Sequence, residues 1–376
     1  VKLRIEHDVF ADAVNWTAHT IPPRPALPIL AGMKLQATSD GAVTLGAYDP
    51  EMSSTASIEA AVDEPGEILV NGHLLASFVS ALPNKPVDLT TNGPKLELTC
   101  GTSRMSMQSM ELADYPDQPE LGGVSGIVDG AEWKQAVSQV VTAASRDDTL
   151  PLLVSVCMEI EGEHISLMAT DRYRLAVVDL TWKPEQPDFK ARVLVHAGRL
   201  ADISKGLGSV GDVRMTIDSG GRTGLIGFEA AGRTSVARLI DGDYPQVRGL
   251  FPKESTGYAV MNRHDVLDAL KRASLVVERN SAVRLSLEDE SLVLTAGHDE
   301  NAQTSEALQA HLTGEPITMA FNPDFLKTGF GALTSDYVRL SFTHPTKPAI
   351  ITGQSEEEGE DSQAFRLLLM PIRTYA

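Results

Sequence analysis

Apolar and polar positions along this 376-residue chain fall into short alternating runs, and one set of runs occurs three times. Ile68-Leu69-Val70-Asn71 returns as Val193-Leu194-Val195-His196 and again as Met319-Ala320-Phe321-Asn322, at offsets of 125 and 126 residues. In each copy a Leu follows four residues after the last member (Leu75, Leu200, Leu326) and another at eleven (Leu82, Leu207, Leu333). The two leucines are seven residues apart, two helical turns, so both fall on one helix face. Each copy therefore predicts a buried strand that runs straight into an amphipathic helix. Leu27-Pro28-Ile29-Leu30 matches Leu150-Pro151-Leu152-Leu153, Asp114-Tyr115-Pro116 matches Asp243-Tyr244-Pro245, and the third copy closes on Met370-Pro371-Ile372. The period is far longer than that of a solenoid, so each copy is a domain.

The remaining pattern fills in the domains. Residues 8–19, 131–144 and 263–277 each predict a first helix, with apolar pairs four apart at Phe10 and Val14, Trp133 and Val137, Val266 and Leu270. Lys95-Leu96-Glu97-Leu98-Thr99-Cys100 and Val213-Arg214-Met215-Thr216-Ile217 alternate as half-buried strands do. Ser39-Asp40-Gly41, Glu161-Gly162-Glu163 and Ser219-Gly220-Gly221 read as turns. Boundaries fall at Gly122-Gly123-Val124-Ser125-Gly126 and near Phe251-Pro252-Lys253-Glu254-Ser255. The expected fold class is α+β, with three tandem similar domains at 1–122, 126–251 and 254–376. Each has two helices on one side of antiparallel sheet.

Composition narrows the function. The net charge of −19 opposes ordinary nucleic-acid binding, which needs Lys and Arg over the contact surface, unless the signs are segregated. The acidic run Glu356-Glu357-Glu358-Gly359-Glu360-Asp361 reads as a solvated loop. Cys100 and Cys157 lie in strand-like segments of different domains and are expected to be reduced, as in a cytoplasmic protein. No apolar run reaches the length of a membrane span, and the N-terminal residues alternate like a strand, unlike a signal peptide. The nine histidines are scattered singly, without metal-ligand spacing. No Gly-rich phosphate loop or nucleophile elbow occurs, and Asp147-Asp148 sits in an expected loop. No catalytic residues, cofactors or metal are expected.

Specific residues point further. Ala169-Thr170-Asp171-Arg172-Tyr173-Arg174-Leu175-Ala176-Val177 resembles the signature strand and loop of the bacterial DNA polymerase III beta subunit, the sliding clamp. Asp241-Gly242-Asp243-Tyr244-Pro245 resembles the segment that closes that family's second domain. Leu368-Leu369-Met370-Pro371-Ile372-Arg373 resembles its C-terminal strand. The similarity runs through the whole chain in order, and the Arg-Tyr-Arg form is most like the actinobacterial branch. The resemblance implies a DNA clamp fold: a ring-shaped head-to-tail homodimer, with helices facing a central channel and sheets outside. The ring encircles duplex DNA without reading its sequence and acts as a processivity factor. Implied partners are the DNA polymerase III alpha subunit, the clamp loader, and other polymerases and repair proteins, which dock through short peptides. Cyclic-peptide inhibitors are further candidates.

Carried onto this sequence, the family's peptide pocket between the second and third domains comprises Leu153, Thr170, Arg172, Tyr173, Arg174, Leu175, Pro245, Arg248, Leu250, Phe325, Met370, Pro371, Ile372 and Arg373. Basic residues on or beside the predicted helices are the DNA-facing candidates: Arg24, Lys134, Arg146, Arg199, Lys205, Arg263, Lys271, Arg272 and Lys327. Met105 and Met107, on a predicted strand at 103–110, and Leu275 and Val276 are candidates for the dimer interface. Three departures stand out. Tyr48-Asp49-Pro50-Glu51-Met52-Ser53 puts a proline where a continuous strand is expected, which should interrupt the ladder. Asn280 stands at a pocket-side position, and Thr374-Tyr375-Ala376 extends the tail. These changes leave open a divergent clamp paralogue with altered partner or inhibitor binding. A triplicated protein-binding scaffold that never loads on DNA is the other alternative.

Overall fold

A computed structural model describes residues 1–207, 211–218, 224–277, 281–297 and 302–373. Six helices occur among them: α1 His7–Ala18, α2 Gly72–Ser80, α3 Gly130–Val140, α4 Ala197–Leu207, α5 Arg263–Ala273 and α6 Pro323–Gly331. The repeated junction is a strand entering α2, α4 or α6, and its last residue caps the helix. The Asn71 carboxamide accepts from the Leu74 N–H, and Asn322 accepts from the N–H groups of Asp324 and Phe325. His196 takes the same post: its Nδ1 accepts from the Gly198 N–H at 3.1 Å. Leu75, Leu200 and Leu326 are fully buried. Leu82 and Leu333 are buried too, but they lie past the ends of α2 and α6. Pro83 restricts Leu82 from continuing the first of these helices.

Two first helices stop sooner than their apolar spacing predicts. α3 gives way to a 3-10 turn at Val141–Ala143, where the Thr142 hydroxyl donates to the Gln139 carbonyl. α5 ends at Ala273, where the Ser274 hydroxyl donates to the Leu270 carbonyl. In both places a side chain competes for the carbonyls that end the helix.

The chain divides into two compact units. One comprises Val1–Ala131, Lys183–Pro187 and Asp202–Leu239; the other comprises Glu132–Trp182, Asp188–Ala201 and the chain from Ile240 onward. The middle third of the sequence is thus shared between them. In the first unit, Val124–Asp129, Asp212–Asp218, Leu225–Ala230 and Arg233–Arg238 join a nine-stranded antiparallel sheet with strands from the N-terminal third. A five-stranded sheet completes that unit and ends on the edge strand Ser103–Gln108. In the second unit, Ser155–Glu161, His164–Thr170, Arg174–Thr181 and Lys190–His196 join a twelve-stranded sheet with the strands of the C-terminal third.

The joints are alike. Arg233–Arg238 pairs antiparallel with Met52–Glu59, and Ser362–Leu369 pairs antiparallel with Arg174–Thr181. At the first joint Gly232 has a φ of 74°, and a Cβ there would lie 2.9 Å from the Ser57 carbonyl oxygen. Glycine is needed because the Ser57 N–H donates to the Gly232 carbonyl across that gap.

Three expectations change in detail. Pro50 does not interrupt a ladder; it lies in a two-residue hairpin turn whose flanks pair as Tyr48↔Ser53 and Asp49↔Met52. Asp49 Oδ1 accepts from the Glu51 N–H, so the turn chemistry is local. Ser125 and Gly126 are not loop: they pair within Val124–Asp129, two residues ahead of the expected domain start, and Gly123 with a φ of 116° supplies the break. The acidic segment is a loop that is tied down, since Arg339 Nη2 donates to the Gly359 carbonyl at 2.6 Å. Cys100 and Cys157 are buried and free, and burial pushes the Cys157 thiol up. The turn expected at Ser219-Gly220-Gly221 lies outside the described residues. No helix is long and apolar enough to cross a membrane among the described residues.

Tyr115 fixes the segment that leaves the first domain. Its hydroxyl donates to the Gly32 carbonyl and accepts from the Tyr48 N–H, each at 2.9 Å. Burial is the main reason its pKa is pushed up to about 12. Tyr115→Phe removes both bonds and should cost about 1–3 kcal/mol. The folded phenol ionises later than the unfolded one, so its contribution is complete below pH ~10. It is lost as pH rises toward the folded value of about 12. Urea unfolding of both proteins across that range should show their stability difference shrinking.

Candidate functional site

The signature residues 170–174 form a tight turn between His164–Thr170 and Arg174–Thr181. Asp171 organises it. Its Oδ1 accepts from the N–H groups of Tyr173 and Arg174, both at 3.0 Å, and its Oδ2 meets Arg174 Nε at 3.0 Å. The two paired side chains are only 12% and 10% exposed. Thr170 Oγ1 donates to the Arg174 carbonyl at 2.7 Å and accepts from the Arg172 N–H at 3.2 Å. These bonds hold Arg172 at a φ of 80°, a left-handed conformation that costs a non-glycine residue roughly 1–2 kcal/mol.

Arg174 carries its guanidinium 4.2 Å from the centroid of the Phe325 ring, on α6. Tyr173 approaches the same ring at 6.4 Å between centroids. Beside them is a cleft of about 660 Å³, lined in part by Arg146, Asp147, Leu150, Arg172 and Lys327. Arg172, Tyr173, Arg174 and Phe325 line this cleft together. Arg146 and Lys327, read from the sequence as DNA-facing, line it as well. Asp171 was not singled out as a site residue, although an Asp that bonds the backbone two residues on is a known turn former.

The other pocket candidates lie outside the lining of that cleft. The Met370 N–H donates to the Tyr173 carbonyl at 2.8 Å, which ties the end of the C-terminal strand to the turn. The Ile372 N–H donates to the Ala320 carbonyl at 2.7 Å, so Pro371 is held on both sides; Arg373 is exposed. Arg248 and Leu250 share a 3-10 turn just after the exposed Pro245, and Arg248 pairs with Glu159 at 3.3 Å. Leu153 is half-buried. Leu175 is 1% exposed and packs with Cys157, Met168, Tyr244 and Leu368, so it supports the surface from the core. Seven large apolar side chains are exposed among the described residues; Tyr173, Leu250 and Met370 are pocket candidates and Leu275 is an interface candidate. The remaining three, Val9, Leu27 and Leu74, belong to the N-terminal third.

The basic candidates divide by what they already bind. Lys271 pairs with Asp268 at 2.8 Å, Lys327 with Asp324 at 2.8 Å, and Arg272 Nε with Glu306 at 2.8 Å. Arg263 Nε donates to the Ser335 carbonyl. Arg24, Lys134, Arg146 and Lys205 are exposed, while Arg199 is half-buried on α4. Met107 packs into the first unit's core, with the half-buried Met105 against the same core. Val276 is half-buried in the turn after α5. Asn280 and Thr374-Tyr375-Ala376 lie outside the described residues. No group of three or more His, Cys, Asp or Glu side chains could hold a metal among the described residues.

Three family matches cover the chain in order. Residues 1–119, 127–246 and 248–372 match the N-terminal, central and C-terminal domains of the DNA polymerase III beta subunit. The crystal structure of the DNA polymerase sliding clamp from Bacillus subtilis superposes with a TM-score of 0.89 at 25% identity, over 100% of this chain and 99% of that one. The fold is therefore that of the three-domain DNA clamps. The chain belongs to the DNA polymerase III beta subunit family, the sliding clamps of DNA replication. It is 44% identical to the beta sliding clamp of Streptomyces coelicolor, over 99% of each chain. It is 37% identical to the beta sliding clamp homolog GriR of Streptomyces muensis, again over 99% of each.

The Asp171–Arg174 pair should decide whether the turn persists. Asp171→Ala leaves Arg174 with the Phe325 ring alone and frees two backbone N–H groups. We expect a loss of about 2–4 kcal/mol by urea denaturation, in the range for breaking a mostly buried pair. Arg174→Met, which removes the charge but keeps the bulk, should cost less.

Proposed function

We propose that two copies of this chain close head to tail around duplex DNA and that the surface around the 170–174 turn tethers replication and repair proteins by short peptides. The repeated strand joint carries this reading. Ser235 faces Ser54 at one joint and Leu367 faces Ala176 at the other. By position in the repeat, Ser235 and Leu367 correspond to Met105 on the edge strand of the first domain. Ser54 and Ala176 correspond to Thr304, at the start of strand Thr304–Thr313. The same joint made between two chains would place Met105 opposite the partner's Thr304 and bury the edge that Met105 and Met107 share. Leu275 and Val276, after α5, would supplement that contact.

The exposed Arg24, Lys134 and Lys205 supply weak, sequence-independent phosphate contacts, with Arg199, Arg263, Lys271 and Arg272 nearby on the helices. Retention comes from enclosure, which reconciles DNA association with a net charge of −19. The activity is non-catalytic and cytoplasmic, and a peptide-like inhibitor would compete at the same surface. Identity is higher to the Streptomyces coelicolor clamp than to the GriR homolog, which supports the replication reading over the divergent paralogue.

The joint has a testable register. Ser57 donating to Gly232 and Arg238 donating to Glu51 mark the hydrogen-bonded pairs of the first joint. Ser54 and Ser235 therefore form a non-hydrogen-bonded pair, whose Cα atoms lie about 4.5 Å apart. That spacing suits a disulfide. Met105→Cys with Thr304→Cys should give a covalent dimer on mild oxidation, with each single variant staying uncrosslinked. A monomer by solution mass, or no crosslink, would refute the ring. Protein loaded onto nicked circular DNA should slide off once the circle is cut; a scaffold would never load. Met370→Ala with Pro371→Ala should weaken a clamp-binding peptide on the order of 30-fold, the loss of a ~2 kcal/mol anchor, and leave the dimer intact.

A further inference from the structure

We propose that a trough on the nine-stranded sheet of the first unit, floored by Gly46, binds a small polyhydroxylated amine, the chemistry of an amino sugar. The site lies wholly within that unit and does not depend on the peptide-docking reading.

The two units build the same cross-strand row with opposite contents. In the second unit, strand register aligns Leu194, Cys157, Met168 and Val177. All four are buried in one apolar cluster, which Tyr244 and Val247 complete. In the first unit the matching row is Leu69, Lys34, Gly46 and Thr55. Tyr115-Pro116-Asp117-Gln118 stands where the other unit has Tyr244-Pro245-Gln246-Val247. Cys, Met and two Val are thus exchanged for Lys, Gly, Thr and Gln. The result is a cavity of about 650 Å³, walled in part by Leu112, Tyr115 and Pro116. Gly46 sits within the strand Ala42–Asp49. Glycine weakens a strand interior, and it marks places where another group comes close to the backbone.

The adjacent row repeats the contrast in polar terms. In the second unit it reads Arg192, Glu159, Ser166 and Asp179, and these residues satisfy one another. Arg192 Nε meets Glu159 at 3.1 Å, and the Ser166 hydroxyl donates to Asp179. In the first unit it reads Glu67, Gln36, Thr44 and Ser57. Here Gln36 and Thr44, with Thr55 from the first row, line the cavity, and their side chains make no hydrogen bond among the described residues. A concavity of this size, with a few convergent polar groups beside an apolar wall, has the dimensions of a ligand site.

Charge selects the ligand. Lys34 and Glu67 neutralise each other at 2.8 Å. Asp117 also lines the cavity and makes no ion pair among the described residues. The uncommitted charge is therefore negative, on a chain whose net charge is −19, so the site attracts an ammonium group and repels anions. The Gln36 amide and the two Thr hydroxyls supply donors and acceptors for sugar hydroxyls. Leu112 and Pro116 suit the C–H face of a sugar ring. A plain alkyl amine would cover those polar groups without pairing them, at a cost in affinity.

The test is saturation-transfer NMR and titration on the full chain, at a pH where the amine is protonated. The probes are a glucosamine disaccharide, cellobiose as its neutral counterpart, gluconate and putrescine. The glucosamine disaccharide should bind about fivefold tighter than cellobiose at low salt, the scale of one exposed ion pair. High salt should erase that difference. Gluconate and putrescine should bind more weakly than cellobiose. Gly46→Met restores the side chain that fills the second unit and should abolish binding of both sugars. Its Cβ would first meet the Gln118 amide at 3.3 Å, the end of an exposed side chain that can move, so the variant should melt no lower than the parent. Asp117→Asn should bring the glucosamine-to-cellobiose ratio to about one while cellobiose still binds. Absence of saturable sugar binding overturns the inference and leaves the trough to solvent. Binding that Gly46→Met leaves unchanged also overturns it, because the sugar would then sit elsewhere. Putrescine binding as tightly as the glucosamine disaccharide overturns it too, since the trough would then read charge alone.

Discussion

The constraint on which this molecule depends is that a β-strand edge left open must be paired or covered. Each domain exposes one edge strand and offers a complementary strand to a neighbour. Within the chain this need is met twice, by Arg233–Arg238 on Met52–Glu59 and by Ser362–Leu369 on Arg174–Thr181. Both joints are built on backbone strand pairing, which places few demands on side-chain identity, and the second adds the Arg366–Asp179 ion pair at 3.2 Å. Ser235 and Ser54 meet at one joint where Leu367 and Ala176 meet at the other. Joints of this kind let three domains of diverged sequence keep one geometry, provided close-approach positions such as Gly232 are kept.

The candidate partner surface grows out of one of those joints. The strand Arg174–Thr181 that receives Ser362–Leu369 begins at the turn organised by Asp171. The N–H of Met370 closes on the carbonyl of Tyr173 as the paired strand ends. Strand pairing therefore brings the C-terminal residues beside the signature turn, and Arg174 bridges from the turn to Phe325 on α6. The first joint has a matching turn at Pro50, where Asp49 accepts from the Glu51 N–H and no residue takes a left-handed φ. The same scaffold position thus carries specialised chemistry in one unit and a plain hairpin in the other.

Much of this was legible in the sequence. The strand–helix junction, the first helices and their buried pairs, the free cysteines and the acidic loop all follow from local periodicity and turn chemistry. What periodicity cannot report is which distant strand an edge will meet. The division of the middle third between two sheets has no sequence signature, because backbone pairing leaves none. Helix ends failed at Thr142 and Ser274, where a hydroxyl competed with the helix for its own carbonyls. Pro50 was misplaced because a proline in a two-residue turn reads the same as one in a strand. Arg146 and Lys327 lie on or beside helices, and periodicity does not report that the loop after α3 and the middle of α6 also bring them to one cleft.

The two internal joints differ from any joint made with another chain in one respect. Each internal pair of strands belongs to a single polypeptide, so a ruptured ladder stays at high effective concentration and re-forms at once. A contact between chains has no such tether. An assembly built from this module therefore has its weakest points fixed by covalent connectivity and not by side-chain chemistry. Mechanical work applied anywhere on it would be released at the untethered seams, leaving the domains and their partner surface undisturbed.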